Sequence, residues 1–194
     1  MSLTGNVIQI TVQGATPEIT LSSNVSSYGS QGGPITLSGT TDFPDGTTIS
    51  IYLTLVTSTG SILENNTNIG SATVSGGAFS FDYTIPANDD ESYSLQYRFE
   101  AENSGTASSV VSVDVAQAAL SISASTTSLP SSGGTVSFTG TSNYDSGVVV
   151  DIYENGSQVG TATVGSGGGF SFSLTFPADT STQSQTYNIE VKGP

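Results

Sequence analysis

The chain contains no cysteine and no histidine, and these two absences remove several classes of function at once. Disulfide bonds and thiolate nucleophiles need cysteine, and the usual zinc sites need cysteine or histidine. Hydrolase triads of the serine type need an imidazole as the base. None of these sites is therefore expected in this protein.

Positive charge is almost absent as well, because Arg98 and Lys192 are the only basic residues against 16 acidic ones. The net charge is −14. A protein that binds a nucleic-acid backbone needs several cations to displace the counterions of the phosphates. Neither nucleic acid nor an anionic membrane surface is therefore an expected partner.

Long apolar runs are also missing, and no stretch reaches the roughly 20 residues that a membrane-spanning helix requires. Membrane insertion is not expected. The first residues, Met1–Asn6, have neither the basic residues nor the apolar run of a signal peptide. As given, the sequence is not expected to be secreted by the classical route, unless a leader has been removed.

The sequence does contain two copies of one pattern of short alternating runs, which Gly or Pro interrupts about every ten residues. Such runs predict β-strands, and their repetition predicts two structural units. The matching segments are Gly32–Gly33 with Gly133–Gly134, Gly39 with Gly140, Ile51–Tyr52 with Ile152–Tyr153, Ile69–Val74 with Val159–Val164, and Phe79–Ala87 with Phe170–Ala178. The repeat divides the chain into an N-terminal strand or arm (1–15), a first domain (16–117) and a second domain (118–194).

The order and spacing of the strands resemble the immunoglobulin-like β-sandwich of bacterial and phage proteins, or the related fibronectin type III form. Tyr93-Ser94-Leu95 and Tyr187-Asn188-Ile189 resemble the tyrosine corner of that fold, and Asp89 suits the first corner. The chain has no tryptophan and no cysteine pair, so antibody-type domains are excluded. The resemblance implies an all-β protein with two tandem Ig-like antiparallel β-sandwich domains and an extra N-terminal strand.

The two predicted domains differ in their last strand. The first ends with Val110–Val115, whereas the second has no such segment and is expected to leave an open sheet edge. A similar segment precedes the first domain and would form an assembly strand that pairs with this edge in another copy. Alternatively, it folds back within its own chain, or the chain is a piece of a longer repeat array. The residues of this possible assembly strand are Val7, Ile8, Ile10 and Val12.

The copies also differ in one hairpin, which the second copy closes directly with Asn155-Gly156, a typical type I′ turn. The first copy has an insertion there. We predict that this insertion is a binding loop, because it departs from the repeat on an exposed tip. Its candidate residues are Ser58, Ile62, Glu64, Asn65, Asn66 and Asn68.

Two tyrosines, Tyr52 and Tyr153, occupy outward positions on the same strand of each copy. Exposed aromatic rings at such positions stack on sugars or anchor a protein partner. Packing across neighbouring strands is the alternative interpretation.

Acidic residues are concentrated at Asp42, Asp45 and Asp89–Glu91, which suggests calcium, since Ca²⁺ binds loop carboxylates and carbonyls. The second copy has Asn143 and Ser146 in place of the first two, and turn-forming aspartates explain the pattern better. No cofactor is otherwise expected. The acids do not form the facing pairs that glycoside hydrolysis requires, so no enzymatic activity is expected.

Together these features predict a structural or interaction protein, most simply a virion component of a phage: a capsid decoration, a head fibre or a tail-associated protein. Its partners would be other structural proteins or copies of itself. One alternative is a fragment of a bacterial cell-surface adhesin, located outside the cell. Another is a carbohydrate-binding module that recognises a surface glycan through one end of the sandwich.

Overall fold

The computed structural model describes residues 16–194, which contain β-strands and no helix. The prediction of an all-β protein is therefore confirmed. The predicted N-terminal strand, with Val7, Ile8, Ile10 and Val12, lies outside the described residues.

The first nine strands, which we call the N-terminal strand set, form two sheets. One sheet has the order β1-β3-β6 and the other β2-β9-β7-β4-β5, with β8 attached to β7. Neighbouring strands are antiparallel, except that β2 runs parallel to β9. The strands are β1 (Ser22–Ser23), β2 (Ser27–Tyr28), β3 (Gly33–Thr40), β4 (Thr48–Thr57), β5 (Ile62–Thr73), β6 (Ala78–Ile85), β7 (Leu95–Asn103), β8 (Thr106–Ala107) and β9 (Val111–Val115).

The remaining strands, the C-terminal strand set, repeat most of this pairing. Their sheets have the orders β10-β11-β14 and β13-β12-β15, which correspond to β1-β3-β6 and β5-β4-β7. Among residues 116–194 there is no counterpart of β2, β8 or β9. The strands are β10 (Leu120–Ala124), β11 (Gly134–Ser142), β12 (Val149–Glu154), β13 (Ser157–Thr163), β14 (Gly169–Phe176) and β15 (Ile189–Lys192).

Strict alternation of apolar and polar residues explains how the sheets enclose a core. In β4, Ile49, Ile51 and Leu53 are buried, whereas the residues between them are less so. Successive side chains of a strand point to opposite faces, so this pattern turns one face of β4 inward. Phe99 of β7 lies in the same core, and its ring meets that of Tyr83 edge-on with 5.7 Å between the centroids.

The short hairpin between β12 and β13 has the predicted turn. Asn155 and Gly156 have φ angles of 49° and 83°, the two positive values that a type I′ turn needs. This local prediction succeeds because the turn depends on the two residues that form it.

The predicted equivalence of Tyr93 and Tyr187 is wrong. Tyr52 of β4 pairs with Glu100 of β7, and its counterpart Tyr153 of β12 pairs with Glu190 of β15. Tyr97 and Tyr187 lie at the same distance before these two glutamates, so Tyr187 corresponds to Tyr97. The reason is that β15 begins at Ile189, the counterpart of Phe99, so β15 matches only the later part of β7, which spacing within the motif does not reveal.

The acidic residue beside Tyr93 is Asp90, whereas Asp89 was expected to suit this corner. A hydrogen bond to Asp90 raises the pKa of Tyr93. In the second copy, the Tyr187 hydroxyl donates to Oε1 of Gln185 at 3.0 Å. Both tyrosines thus bond to a nearby side chain, and not to the upstream backbone as in a tyrosine corner.

Asn88 ties the connection before β7 to the segment that follows β9. Its buried side-chain amide donates to the carbonyl oxygens of Tyr93 at 2.9 Å and Ala116 at 3.2 Å. Its Oδ1 accepts a hydrogen bond from the backbone N–H of Asp90 at 3.2 Å. One side chain therefore satisfies three backbone groups.

We expect Asn88→Ala to lower the free energy of unfolding by about 2 kcal/mol, because three part-buried backbone groups lose the hydrogen bonds that this side chain supplies. Urea unfolding followed by circular dichroism measures this change. Asn65→Ala, at an exposed position of β5, is the control and should change stability by less than about 0.5 kcal/mol. Equal stabilities of the two variants would show that the Asn88 bonds do not stabilise the fold.

Candidate functional site

The hairpin of β4 and β5 is longer than its counterpart of β12 and β13, as the insertion predicts. Its tip is closed by bonds within the turn, where the backbone N–H of Thr57 donates to the carbonyl of Ser61 at 2.9 Å. The N–H of Ser58 donates to the carbonyl of Ser94 at 2.8 Å, which ties the turn to the start of β7. We call residues 57–68 the long hairpin.

The loop prediction for this segment is wrong in its local structure. Ser58 lies in the turn, but the other candidate residues belong to strand β5. Backbone pairing with β4 stabilises this strand even though its side chains face solvent. The residues concerned are Ile62, Glu64, Asn65, Asn66 and Asn68.

A β-bulge interrupts the pairing in the middle of the long hairpin. Leu53 pairs with Thr67 and Leu55 pairs with Glu64, so β5 has one residue more than β4 over this stretch. Asn66 has a φ of 48°, and its N–H donates to Oγ1 of Thr54 at 3.0 Å. A bulge bends and twists the strand that carries it, and here that strand lies at the edge of its sheet.

Two large apolar side chains stand out beside this bulge. Ile62 is 60% exposed and Leu63 is 51% exposed, on a strand whose neighbouring residues are polar. Both lie on the edge strand near the tip, so each is an exposed apolar side chain of the long hairpin.

The two predicted aromatic contacts have different surroundings, and both rings are partly buried. The ammonium group of Lys192 lies 4.8 Å from the centroid of the Tyr153 ring, which is the distance of a cation–π contact. Tyr52 lies between Asn68 and Glu100 on the neighbouring strands. The structure does not bring either tyrosine to the long hairpin tip.

A second candidate site lies in the C-terminal strand set, where β15 forms the edge of its sheet within the described residues. A groove of about 710 Å³ opens beside it. We call it the open groove, and its larger apolar lining residues are Ile122, Leu129, Val136, Phe138, Phe176, Tyr187 and Ile189.

The open groove interrupts the core of the C-terminal strand set. Val136, Phe138 and Phe176 form a buried cluster that is separate from the main cluster around Val150 and Ile152. In the N-terminal strand set, by contrast, a single cluster extends through both sheets. The groove thus occupies a place that side chains fill in the other copy.

Comparison of corresponding residues locates the difference in the walls of the groove. Tyr187 and Ile189 are partly buried, whereas their counterparts Tyr97 and Phe99 are buried. The Tyr187 ring packs against that of Phe176 with 4.9 Å between the centroids. Strand counting predicted an open edge here, but these lining residues were missed, because elements far apart in the sequence combine to form the groove.

Hydrogen bonds hold the residues that connect the two strand sets. The N–H of Ala118 donates to the carbonyl of Asp90 at 3.0 Å. The side chain of Asn143 donates to the carbonyl of Gln117 at 2.6 Å and accepts from the N–H of Ala119 at 2.9 Å. The connection therefore contacts loops of both sets.

Most perturbed groups in the described residues are tyrosines. Burial raises the pKa of Tyr97 to about 12. Burial also raises the pKa of Tyr144, and the negative charges of Asp89 and Glu91 raise it further. The hydrogen bond from Ser92 lowers the pKa of Asp90. These shifts widen the pH range over which the tyrosines stay neutral and Asp90 stays ionised.

Residues 16–194 contain no group of three or more acidic side chains that could hold a metal ion. Asp45 accepts a hydrogen bond from the N–H of Gly77 at 3.4 Å, and Asp90 accepts one from the N–H of Ser92 at 2.7 Å. The Asp90 bond, to the residue two positions along the chain, is the local bond of an Asx turn. Asp45 instead bonds to the turn before β6.

No protein-family model matches the chain, and no curated protein matches it. In the part of the chain that the structure describes, no helix is long and apolar enough to cross a membrane.

Proposed function

We propose that each strand set is an Ig-like β-sandwich domain, with the boundaries 16–117 and 118–194. Support comes from strand order, because β1-β3-β6 against β2-β9-β7-β4-β5 has the antiparallel arrangement of such sandwiches, with one parallel strand at the edge. The C-terminal set repeats the central strands of both sheets.

On this basis we propose a structural, non-catalytic role as a virion component that is attached to other structural proteins. The long hairpin carries the proposal. It extends the domain beyond the repeated core, lies at a sheet edge and exposes Ile62 and Leu63. Exposed apolar side chains on a largely polar surface are typical of protein–protein contacts.

A bacterial cell-surface adhesin is the second candidate. The observation that favours it is the repetition of one strand arrangement along the chain, which arrays of surface domains also show. The two candidates differ in where the protein is found. They agree that the long hairpin binds a partner.

Immunogold electron microscopy separates the two candidates. An antibody raised against the 194-residue protein is applied to virus particles and to intact cells from the source of the gene. Regular labelling of particles is the expected result. Labelling confined to the cell surface would overturn the virion proposal in favour of the adhesin.

We expect the double substitution Ile62→Ser and Leu63→Ser to weaken attachment to particles lacking the protein at least about tenfold. Each buried apolar side chain contributes roughly 1.5–3 kcal/mol, and 1.4 kcal/mol corresponds to a factor of ten. Co-sedimentation of labelled protein with the particles measures the affinity.

The matched control is Val159→Ser, because Val159 is exposed on the short hairpin of the other copy. Its affinity should equal that of the unchanged protein. Equal binding by the double variant and this control would contradict the role of the long hairpin, while circular dichroism verifies that both variants are folded.

A further inference from the structure

We propose that the segment Val7–Val12 of a second copy fills the open groove and pairs with the edge of the sheet that contains β15. The inference deepens the proposed structural role and depends on its Ig-like domains. It identifies a binding site, its occupant and the register between them.

The N-terminal strand set shows what occupies the corresponding place. There, β9 pairs antiparallel with residues 95–99 of β7 and parallel with Ser27–Tyr28 of β2. Val113 and Val115 of β9 are 0% exposed and belong to the core. A strand with apolar residues at every second position thus completes this sandwich.

In the C-terminal strand set, the corresponding residues have no such partner among residues 16–194. Residues 95–99 correspond to 185–189, and only Ile189 of these belongs to a strand. Among the described residues, 185–187 also lack the neighbour that the end of β4 supplies to β7, because the short hairpin ends at Asn155-Gly156. Of this stretch, Asn188 still bonds to Asn155. Leu129, at the position of Tyr28, is 37% exposed.

The occupant is identified by its similarity to β9. Ile8, Ile10 and Val12 have the spacing of Val111, Val113 and Val115, and the residues between them are polar in both segments. Residues 1–15 contain no charged side chain in a chain whose net charge is −14. The only acidic residue lining the groove is Asp179, so little charge would be desolvated on binding.

Chain order favours a second copy as the source. β9 lies directly upstream of the C-terminal strand set, and Val7–Val12 lies directly upstream of the N-terminal strand set. Ile19, which bridges to Thr41, corresponds to Leu120. Within one chain, residues 116–119 connect β9, which completes the N-terminal strand set, to the start of the C-terminal strand set. If Val7–Val12 fills the groove of another copy, the residues after it connect two copies in the same way.

The register follows from the β7–β9 pairing. Tyr97 pairs with Val113 and Gln96 with Asp114, so Ile10 should lie opposite Tyr187 and Thr11 opposite Thr186. Ile10 would then point into the open groove. Each copy would supply one strand and accept one, so the contact is heterologous and extends into a filament or closes into a ring.

Cysteine cross-linking tests the proposal cleanly, since the chain has no cysteine of its own. The full-length protein with Thr11→Cys and Thr186→Cys is oxidised and separated on a non-reducing gel. Thr186 and Thr11 correspond to Gln96 and Asp114 of the first strand set. The side chains of Gln96 and Asp114 meet at 2.9 Å across the strands. We expect a ladder of linked chains that collapses on reduction.

The control carries Thr11→Cys and Gln185→Cys, a shift of one residue that places the second cysteine on the opposite face. It should give at least about tenfold less ladder. A cross-link only within single chains would overturn the proposal in favour of a strand that folds back. No cross-link, with sedimentation of the unchanged protein as a single chain, would also overturn it.

A second measurement uses the protein without residues 1–13, with folding checked by circular dichroism. We expect it to sediment as a single chain and to bind a peptide of residues 1–15, which raises its melting temperature. The same peptide with Ile10→Asp should have no effect, and equal action of both peptides would contradict the proposed register. These results do not depend on virus particles, so a failure of the virion role in labelling experiments remains distinguishable.

Discussion

Replacing Gly39 with alanine is expected to lower the free energy of unfolding by about 3 kcal/mol, at the upper end of the usual cost of overpacking a core. A Cβ atom at this position would clash with the Phe79 ring and with the carbonyl oxygen of Thr20. The Thr20 backbone has little freedom to move, because its N–H donates to the carbonyl of Thr40 at 2.9 Å. Urea unfolding of the purified variant measures the loss.

Gly169→Ala is the matched control for this substitution. Gly169 also lies in a strand, but a Cβ atom there would meet nothing within 4 Å. Alanine should therefore leave stability unchanged or raise it slightly, because it restricts the unfolded chain. If Gly39→Ala were as stable as Gly169→Ala, the close approach of the Phe79 ring would have no energetic importance.

The contact of Gly39 with Phe79 also explains part of the repeat that is visible in the sequence. Gly39 pairs with Phe79 across β3 and β6, and Gly140 pairs with Phe170 across β11 and β14. In both places the ring lies against a backbone that carries no side chain. The sequence shows that the four residues recur, but only the register shows that they touch.

The strands themselves could be predicted where one face is buried, because burial imposes alternation. The segment from Ile62 to Asn68 could not, since both faces of this part of β5 are exposed and the sequence has no period there. Backbone pairing with β4 stabilises it instead. The local sequence gives no indication of such backbone pairing.

The open groove was predictable in outline only. Counting strands indicated a missing neighbour for the last strand, whereas the residues that line the groove come from β10, β11, β14, β15 and the connections before β11 and β15. Tyr187 was incorrectly matched with Tyr93, because a motif of three residues does not determine its own pairing partner. Spacing along the sequence therefore predicts that an open edge exists, but it does not predict which residues line the groove.

Phe99→Ala is expected to lower the free energy of unfolding by about 3–5 kcal/mol, the usual range for emptying a buried aromatic site. Phe99 is fully buried, with the Tyr83 ring edge-on at 5.7 Å and the Tyr97 ring stacked at 6.4 Å between centroids. Its neighbours Leu53 and Val111 belong to paired strands and cannot easily move into the space. Urea unfolding followed by circular dichroism measures the change.

Ile189→Ala provides the comparison, because Ile189 occupies the place of Phe99 beside the open groove. Its side chain is only partly buried, so the loss in protein without residues 1–13 should be about 1–2 kcal/mol. Adding the peptide of residues 1–15 should increase that loss, since the filled groove would bury Ile189. If Ile189→Ala lowered the free energy of unfolding equally with and without the peptide, the groove would stay open beside Ile189. If the loss without the peptide were as large as that of Phe99→Ala, the groove would already be closed.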